Sequence, residues 1–584
     1  MATDTRDVEV FGQVSRVRGV VFEYLSLAAS VFGILALAVL LVYVTIDAFD
    51  LTSASPGWLL TYFVTLIGPY LAFCLYSAAD RELTRRVLGV LGGGLVVVAA
   101  GFTAVEALVR PIPRLSWQLA YLFAVGVPVT GYVTYVGARG HAGQVGFGLV
   151  GRLLGGAAIG LALGVLFLVF DPRLWFLAYT LGVVPAALSY VYGTARSTPR
   201  AVTAAAPLLV VGVVGAVLLR DVVRTYPTTP YIYLWTLAVP IAAVGGWLVA
   251  SRSSRRAGLV AGGVPLLVAA IGGLMGPTGP VSILVLTLVG VPCAVYLHRV
   301  IEQGRGLTGL TLPVVVVGGA LVGALVVETF GLGAPTPWLD GAFLTEAPSR
   351  NAVEAGLYPA IVGSVIIIAL VAVLSFVLGV GTSVFLEEYT AGGGLVGSLT
   401  RLVQINIANL AAIPSVVYGL LGLGLFANLL GFGFGTAVTA SLTLSLLILP
   451  ITIISAQEAI RSVPDDLRQG SDAMGATRWQ TTKNVVLPEA LPGILTGTIL
   501  ALGRAIGETA PLIMIGAATT VFNAPDSLFS KFSAMPMQIY AWAGFPQAEF
   551  RYGVVAAGVI TLLVILIGMN GTAILLRNRA ERGE

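Results

Sequence analysis

The chain has 584 residues, of which 57% are hydrophobic and 10% charged, whereas soluble domains carry about 25% charged residues. A net charge of +4, spread over loops in small arginine clusters, is no nucleic-acid footprint and reports orientation in a bilayer. The two lysines, Lys483 and Lys531, follow Thr482 and Ser530 where a phosphate-binding G-x-x-x-x-G-K-[ST] loop needs glycine, so the chain is no P-loop ATPase.

The expected fold is therefore an all-α polytopic membrane protein. A polar tail of about twenty residues precedes a first apolar run, 24 to 48, that is too long for a signal-peptide core, so the N-terminus is expected to be retained. Apolar runs near the ~20 residues a membrane helix needs occur at 22–47, 57–79, 87–109, 117–137, 147–170, 174–194, 202–219, 231–250, 257–275, 279–298 and 308–330. Five more lie at 357–385, 404–430, 435–458, 488–519 and 551–576, about 16 transmembrane helices in all, with both termini on one side. Arginine placement supports that count. With Arg6, Arg16 and Arg18 cytoplasmic, so are Arg81, Arg85 and Arg86, Arg139 and Arg152, Arg252 to Arg256, Arg299, and the tail at Arg577 and Arg582. Arg110 with Arg114 and Arg220 with Arg224 are the exceptions. No clear period links the first eleven runs, which read as structural. Cys74 and Cys293 lie far apart in apolar runs and His141 and His298 stand alone at loop edges, so no metal site, cofactor or enzymatic constellation is expected.

Beyond residue 340 polar side chains enter the helices. Asn406, Asn409 and Ser415 punctuate a run that Pro414 must break or kink, either lining a cavity or joining helix to helix. Between two later apolar runs lies a polar segment, Glu458 to Pro488. Ser462 with Asp465 and Thr477 with Gln480 are spaced as capping boxes, Pro464 suits a first turn, and Gly475 is a natural left-handed stop. Trp479, Val485, Val486 and Leu487 supply apolar contacts while Arg478 and Lys483 stay wet, which suits a rigid helix pair docked on another protein. Further on, Arg504 and Glu508 lie four apart in an otherwise uncharged run, either a structural ion pair or a gate that lends the arginine to an anion. A guanidinium fork suits a tetrahedral oxyanion.

The blocks GAFLTEAPS, GLYPAIVGS, GVGTSVFLEEYT, NIANLAAIPSVVYGLLGLGLF, EAIRSVPDDLRQGSDAMGATRWQTTKNVVLPEALPGILTG and ILALGRAIGETAPLIMIGAA follow one another in this order. Through them residues of about 340 to 580 resemble the PstA-type permease subunit of phosphate ABC importers, whose transmembrane domain is of the MetI-like kind. The resemblance implies a permease domain at 336–584 with a cytoplasmic coupling loop at 458–488, after an extra multi-span region at 1–335. One of its helices, 22–47 or 308–330, would be the first of the permease core. The family's coupling contacts carry over to Gly475 with Ala476 and to Leu487 with Pro488, whereas Gln469 and Gly470 stand where the family has Glu-Ala. That departure moves the expected contacts towards Gly475, Thr477 and Trp479. The substrate path would involve Arg504, Glu508, Asn406, Asn409 and Ser415. The implied partners are an ATPase subunit dimer, a second, PstC-like permease and an extracytoplasmic phosphate-binding protein, in the cytoplasmic membrane of a prokaryote with both termini cytoplasmic. Rival readings are a permease for sulfate, molybdate or phosphonate, and a proton-coupled secondary transporter in which Glu508 carries protons.

Overall fold

The computed structural model describes residues 16–581 apart from 109–110, 170, 197, 221, 253, 273–278 and 391–394, so Arg6, Arg110 and Arg582 of the orientation argument lie outside the described residues. Backbone polar groups have no water to bond in hydrocarbon, which leaves helices as the means for an apolar chain to cross. Among the described residues there is no strand, only an isolated bridge between Thr436 and Lys531. Among the described residues fourteen helices are long and apolar enough to span, and the pair Thr400–Ala411 and Ser415–Leu429, bent by 107°, makes a fifteenth if counted as one. The remaining expected run, 257–275, contains the helix Arg255–Gly272, and its last three residues lie outside the described ones.

The N-terminal region repeats after all, contrary to the expectation from hydropathy. Pro69, Pro128, Pro185 and Pro240 each occupy the second residue of an α-helix, and a π turn precedes each: Phe63–Ile67, Leu122–Gly126, Tyr179–Val183 and Leu234–Ala238. The cause is local. Proline returns no N–H to the carbonyl four residues back and its ring clashes there, so the preceding turn widens. An arginine follows each proline eleven or twelve residues later, at Arg81, Arg139, Arg196 and Arg252. The repeat is hidden in sequence because one proline per unit carries it. These helices meet through small residues: a Cβ on Gly137 would sit 2.7 Å from the Cys74 carbonyl oxygen, and one on Gly319 2.4 Å from that of Thr65.

The C-terminal part is built around the helix Ala437–Arg461, 67% of whose apolar window is buried, against 0% for the first helix. Tyr358–Val384 and Leu487–Ala505 flank it, and Val555–Glu581 packs on the latter. Val371, Leu444, Ala501 and Phe532 meet at the centre. The first helix, Arg16–Ala48, lies against Val555–Glu581, and the Ala48 carbonyl accepts from the Trp338 and Leu339 amides at 3.0 and 3.2 Å. By contrast Leu312–Phe330 packs against the segment from Pro56 to Ala78.

Candidate functional site

The polar segment forms at one end of this bundle. Its first helix, Asp465–Ala473, places Asp465 and Asp466 in the first turn, where carboxylates suit the helix dipole. The expected capping box at Ser462 does not form: the Ser462 hydroxyl donates back to the Ala459 carbonyl at 2.8 Å, and Pro464, extended at φ −58 and ψ 138, is the cap residue itself. Ser462 belongs to the end of the preceding helix, so its spacing to Asp465 is incidental. Gly475 turns the corner at φ +78, a conformation that costs other residues strain. The second box is present. The Thr477 amide donates to Gln480 Oε1 at 2.8 Å and the Gln480 amide to Thr477 Oγ1 at 3.4 Å.

The two arms are stitched together by Ser471 and Thr481 at 2.8 Å, and Thr481 Oγ1 donates to Asp472 at 3.2 Å. Val486 is fully buried against Val384, Ala456 and Ile460, which anchors the second arm, and Pro488 starts the long helix at its second residue. Two large apolar side chains stay outside among the polar ones: Met474 is 89% exposed and Trp479 56%. Gln469, Gly470 and Thr477 are exposed too, while Ala476 and Leu487 are half-buried. Met474 was not among the residues expected at a docking surface, yet it is exposed beside them.

Under the loop lies a charge network that sequence reasoning missed. Glu387 and Glu388 end the helix that begins at Tyr358, in the π turn Phe385–Tyr389. Arg461 grips Glu387 with both ends of its fork, at 2.8 and 2.6 Å, and Gln457 Nε2 donates to the same carboxylate at 2.7 Å. Arg468 reaches Glu388 at 3.4 Å and Asp465 at 3.1 Å. It also donates to the Val463 and Ile460 carbonyls at 2.6 and 2.7 Å, closing the end of the central helix. The pairs made by Glu387 and Glu388 span 70 to 80 residues of sequence, so no local spacing announces them.

Arg504 and Glu508 are joined at 3.2 Å, but not on one continuous helix as expected. The helix stops at Ala505, and Glu508 sits in the break behind it. Ile506 packs with Leu357, Ala360, Met535 and Trp542, which puts the pair at the end of the bundle remote from the polar loop. Arg504 is 47% exposed and Glu508 15%.

Asn406 and Asn409 are exposed on the loop side of the 107° break, and Asn406 donates back to the Leu402 carbonyl at 2.9 Å. Their neighbour Ile407 packs with Leu386 and Ile453, so the structure does not bring the two asparagines to Arg504. Ser415 opens the second arm of the break and is half-buried. Pro414 cannot return an N–H to Leu410, and the Tyr418 hydroxyl donates to that carbonyl instead, at 2.8 Å. Tyr418→Phe keeps the ring and removes one of two donors to the carbonyl, which retains the Ile413 amide at 3.1 Å, and the expected cost is about 0.5–1.5 kcal/mol, to be read as a lower unfolding midpoint in detergent. An unchanged midpoint would mean that the Ile413 amide alone serves the carbonyl.

Residues 389–580 match the family described as binding-protein-dependent transport system inner membrane component. The chain is 37% identical over 182 residues to the probable ABC transporter permease protein YqgI of Bacillus subtilis, covering 31% of this chain and 60% of that protein. It is 33% identical over 227 residues to the phosphate transport system permease protein PstA 1 of Mycobacterium tuberculosis, covering 39% and 72%. To the PstA of Yersinia pestis it is 32% identical over 264 residues, covering 43% and 86%. A solved inward-facing structure of the MetNI methionine ABC transporter is similar over 39% of this chain and 96% of its own, at 23% identity and a TM-score of 0.30.

Proposed function

We propose, for a chain that belongs to the PstA-type permeases of the binding-protein-dependent inner-membrane transport family, that it is the membrane subunit of an ATP-driven importer of inorganic phosphate. One observation carries the reading. A stitched, capped loop presents Met474 and Trp479 at one end of the bundle, and an arginine suited to an oxyanion stands half open, held by one glutamate, at the other.

The loop is the joint for a separate ATPase dimer, since the chain has no P-loop of its own. Gly475, Ala476, Thr477 and Trp479 form its tip and Leu487 with Pro488 its base, while Gln469 and Gly470 contribute no carboxylate. Arg504 takes the anion and Glu508 restrains the arginine between cycles. A half-open charged side chain needs water or protein beside it, so a second, PstC-like permease covers Arg504 and, further along the path, the exposed Asn406 and Asn409, closing it around Ser415. A phosphate-binding protein delivers from the extracytoplasmic end, and both termini face the cytoplasm. The packing of Arg16–Ala48 on the last helix favours it as the first helix of the permease core, with the proline-repeat region inserted after it.

Uptake of radiolabelled phosphate by the reconstituted complex tests the function. The expected result is uptake that requires ATP inside the transporting compartment, persists when the proton gradient is collapsed, and is poorly competed by sulfate or molybdate. Uptake that survives ATP depletion but stops with the proton gradient would assign a secondary transporter, and preferential competition by another oxyanion would reassign the substrate.

A further inference from the structure

We propose that Glu387 and Glu388 are positioning residues that lock the loop to the helix beginning at Tyr358, so that a pull on the loop is delivered to that helix as well as to the central one. The inference rests on the reading of 458–488 as the ATPase joint.

Three elements meet here: the end of Tyr358–Tyr389, the end of Ala437–Arg461, and the loop helix Asp465–Ala473. The last two are consecutive in the chain and move together through their short link. The first joins the loop from some seventy residues away, through side chains. Val384, with Phe376 and Val380, gives it apolar contacts with the loop's base, and apolar contacts slide. The carboxylates add direction. Arg461 fixes Glu387 through two parallel hydrogen bonds, a geometry that tolerates little rotation. Arg468 stands on the loop helix and bonds Glu388 on one side and the closing carbonyls of the central helix on the other. It therefore ties all three elements at one point.

Burial sets the two pairs apart: Glu388 and Arg468 are 12% and 21% exposed, while Glu387 is 14% exposed but its partner Arg461 57%, so screening by salt and competition from water are weak at Arg468 and reach the Arg461 pair from the arginine side. The helix they grip has somewhere to send the motion. It passes the centre of the bundle at Ile367 and Val371, beside Tyr418 at the 107° break and Ala501 on the helix that carries Arg504. A loop displacement passed to this helix thus reaches both walls of the proposed path. The missing carboxylate at Gln469 and Gly470 fits the same picture: here the acidic groups that steady the loop come from inside the permease.

The test measures phosphate transported per ATP hydrolysed in the full complex reconstituted in vesicles, for wild type, the double variant Glu387→Gln with Glu388→Gln, and the swap Glu387→Arg with Arg461→Glu. The expected result for the double variant is ATPase-subunit association as in wild type, continued hydrolysis, and a transport-to-hydrolysis ratio about tenfold lower, within the range of coupling energies between sites. The swap should regain a good part of the ratio lost in Glu387→Arg alone. A merely structural role would lower yield or association and leave the ratio unmoved. An unchanged ratio in the double variant overturns the brace and leaves the joint standing; a wild-type complex that moves no phosphate on ATP overturns the parent reading and the brace with it. Should the double variant not reach the membrane, Glu388→Gln alone, which preserves every bond to Glu387, decides by the same ratio.

Discussion

Arg504→Ala is expected to lower ATP-driven phosphate transport about 100-fold or more, with ATPase-subunit association unchanged. The guanidinium holds Glu508 through Nε at 3.2 Å, and among the described residues its two terminal amino groups have no partner. Those two groups are the fork that meets two oxygens of a tetrahedral anion. Hydrogen bonds to charged groups contribute about 1.5–3 kcal/mol each, so losing two in a partly dry site exceeds two orders of magnitude. Arg504→Lys keeps the charge and loses the fork, and a loss nearer tenfold is expected. Initial rates of radiolabelled phosphate uptake measure both. Transport by Arg504→Ala within about twofold of wild type would reduce the pair to a structural bond. Because Glu508 would then lose its cation, a lower unfolding midpoint for that variant would identify the structural role directly.

How much of this was legible in the sequence divides along one physical line. Chemistry that acts over four residues or fewer could be read: Gly475 takes the left-handed corner, Thr477 and Gln480 close their box, and Pro414 breaks its helix. Even there Ser462 shows the limit, since the same spacing arises by accident when the preceding helix runs on through Arg461. Hydropathy located nearly every span, because the bilayer imposes one length on all of them. It could say nothing of which span meets which. The grip of Arg461 on Glu387 joins positions 74 apart, and Tyr418 answers Pro414 only once the chain has folded back by 107°. The helix carrying Arg504 is shorter than expected for a related reason: an apolar run from 488 to 519 looks like one helix, while Gly507 and the break before Ala510 end it early. The fourfold proline unit was missed because its signal is a backbone event, a widened turn, and not a change in polarity.

Trp479→Ala is expected to weaken ATPase-subunit association about thirtyfold, a loss of about 2 kcal/mol, which is the lower bound for a residue that anchors an interface. The tryptophan lies in the first turn after the Thr477 cap, 56% exposed, on an arm fixed by Val486 below and by the Ser471–Thr481 contact beside it. Among the described residues no aromatic ring or guanidinium stacks on it, whereas a groove on a partner gains its area without first having to order it. Pre-organisation is what makes the loss large, because the arm costs little entropy to dock. Met474, at 89% exposure across the Gly475 corner, completes the apolar tip, so Met474→Ala should weaken association in the same direction by a smaller factor, having a flexible side chain to immobilise. Titration of purified ATPase subunit onto the permease in nanodiscs gives both values. Association of Trp479→Ala at wild-type affinity would place the contact elsewhere on the loop. If transport were then still lost, the tryptophan would be needed for the ATP-driven movement and not for holding the subunit.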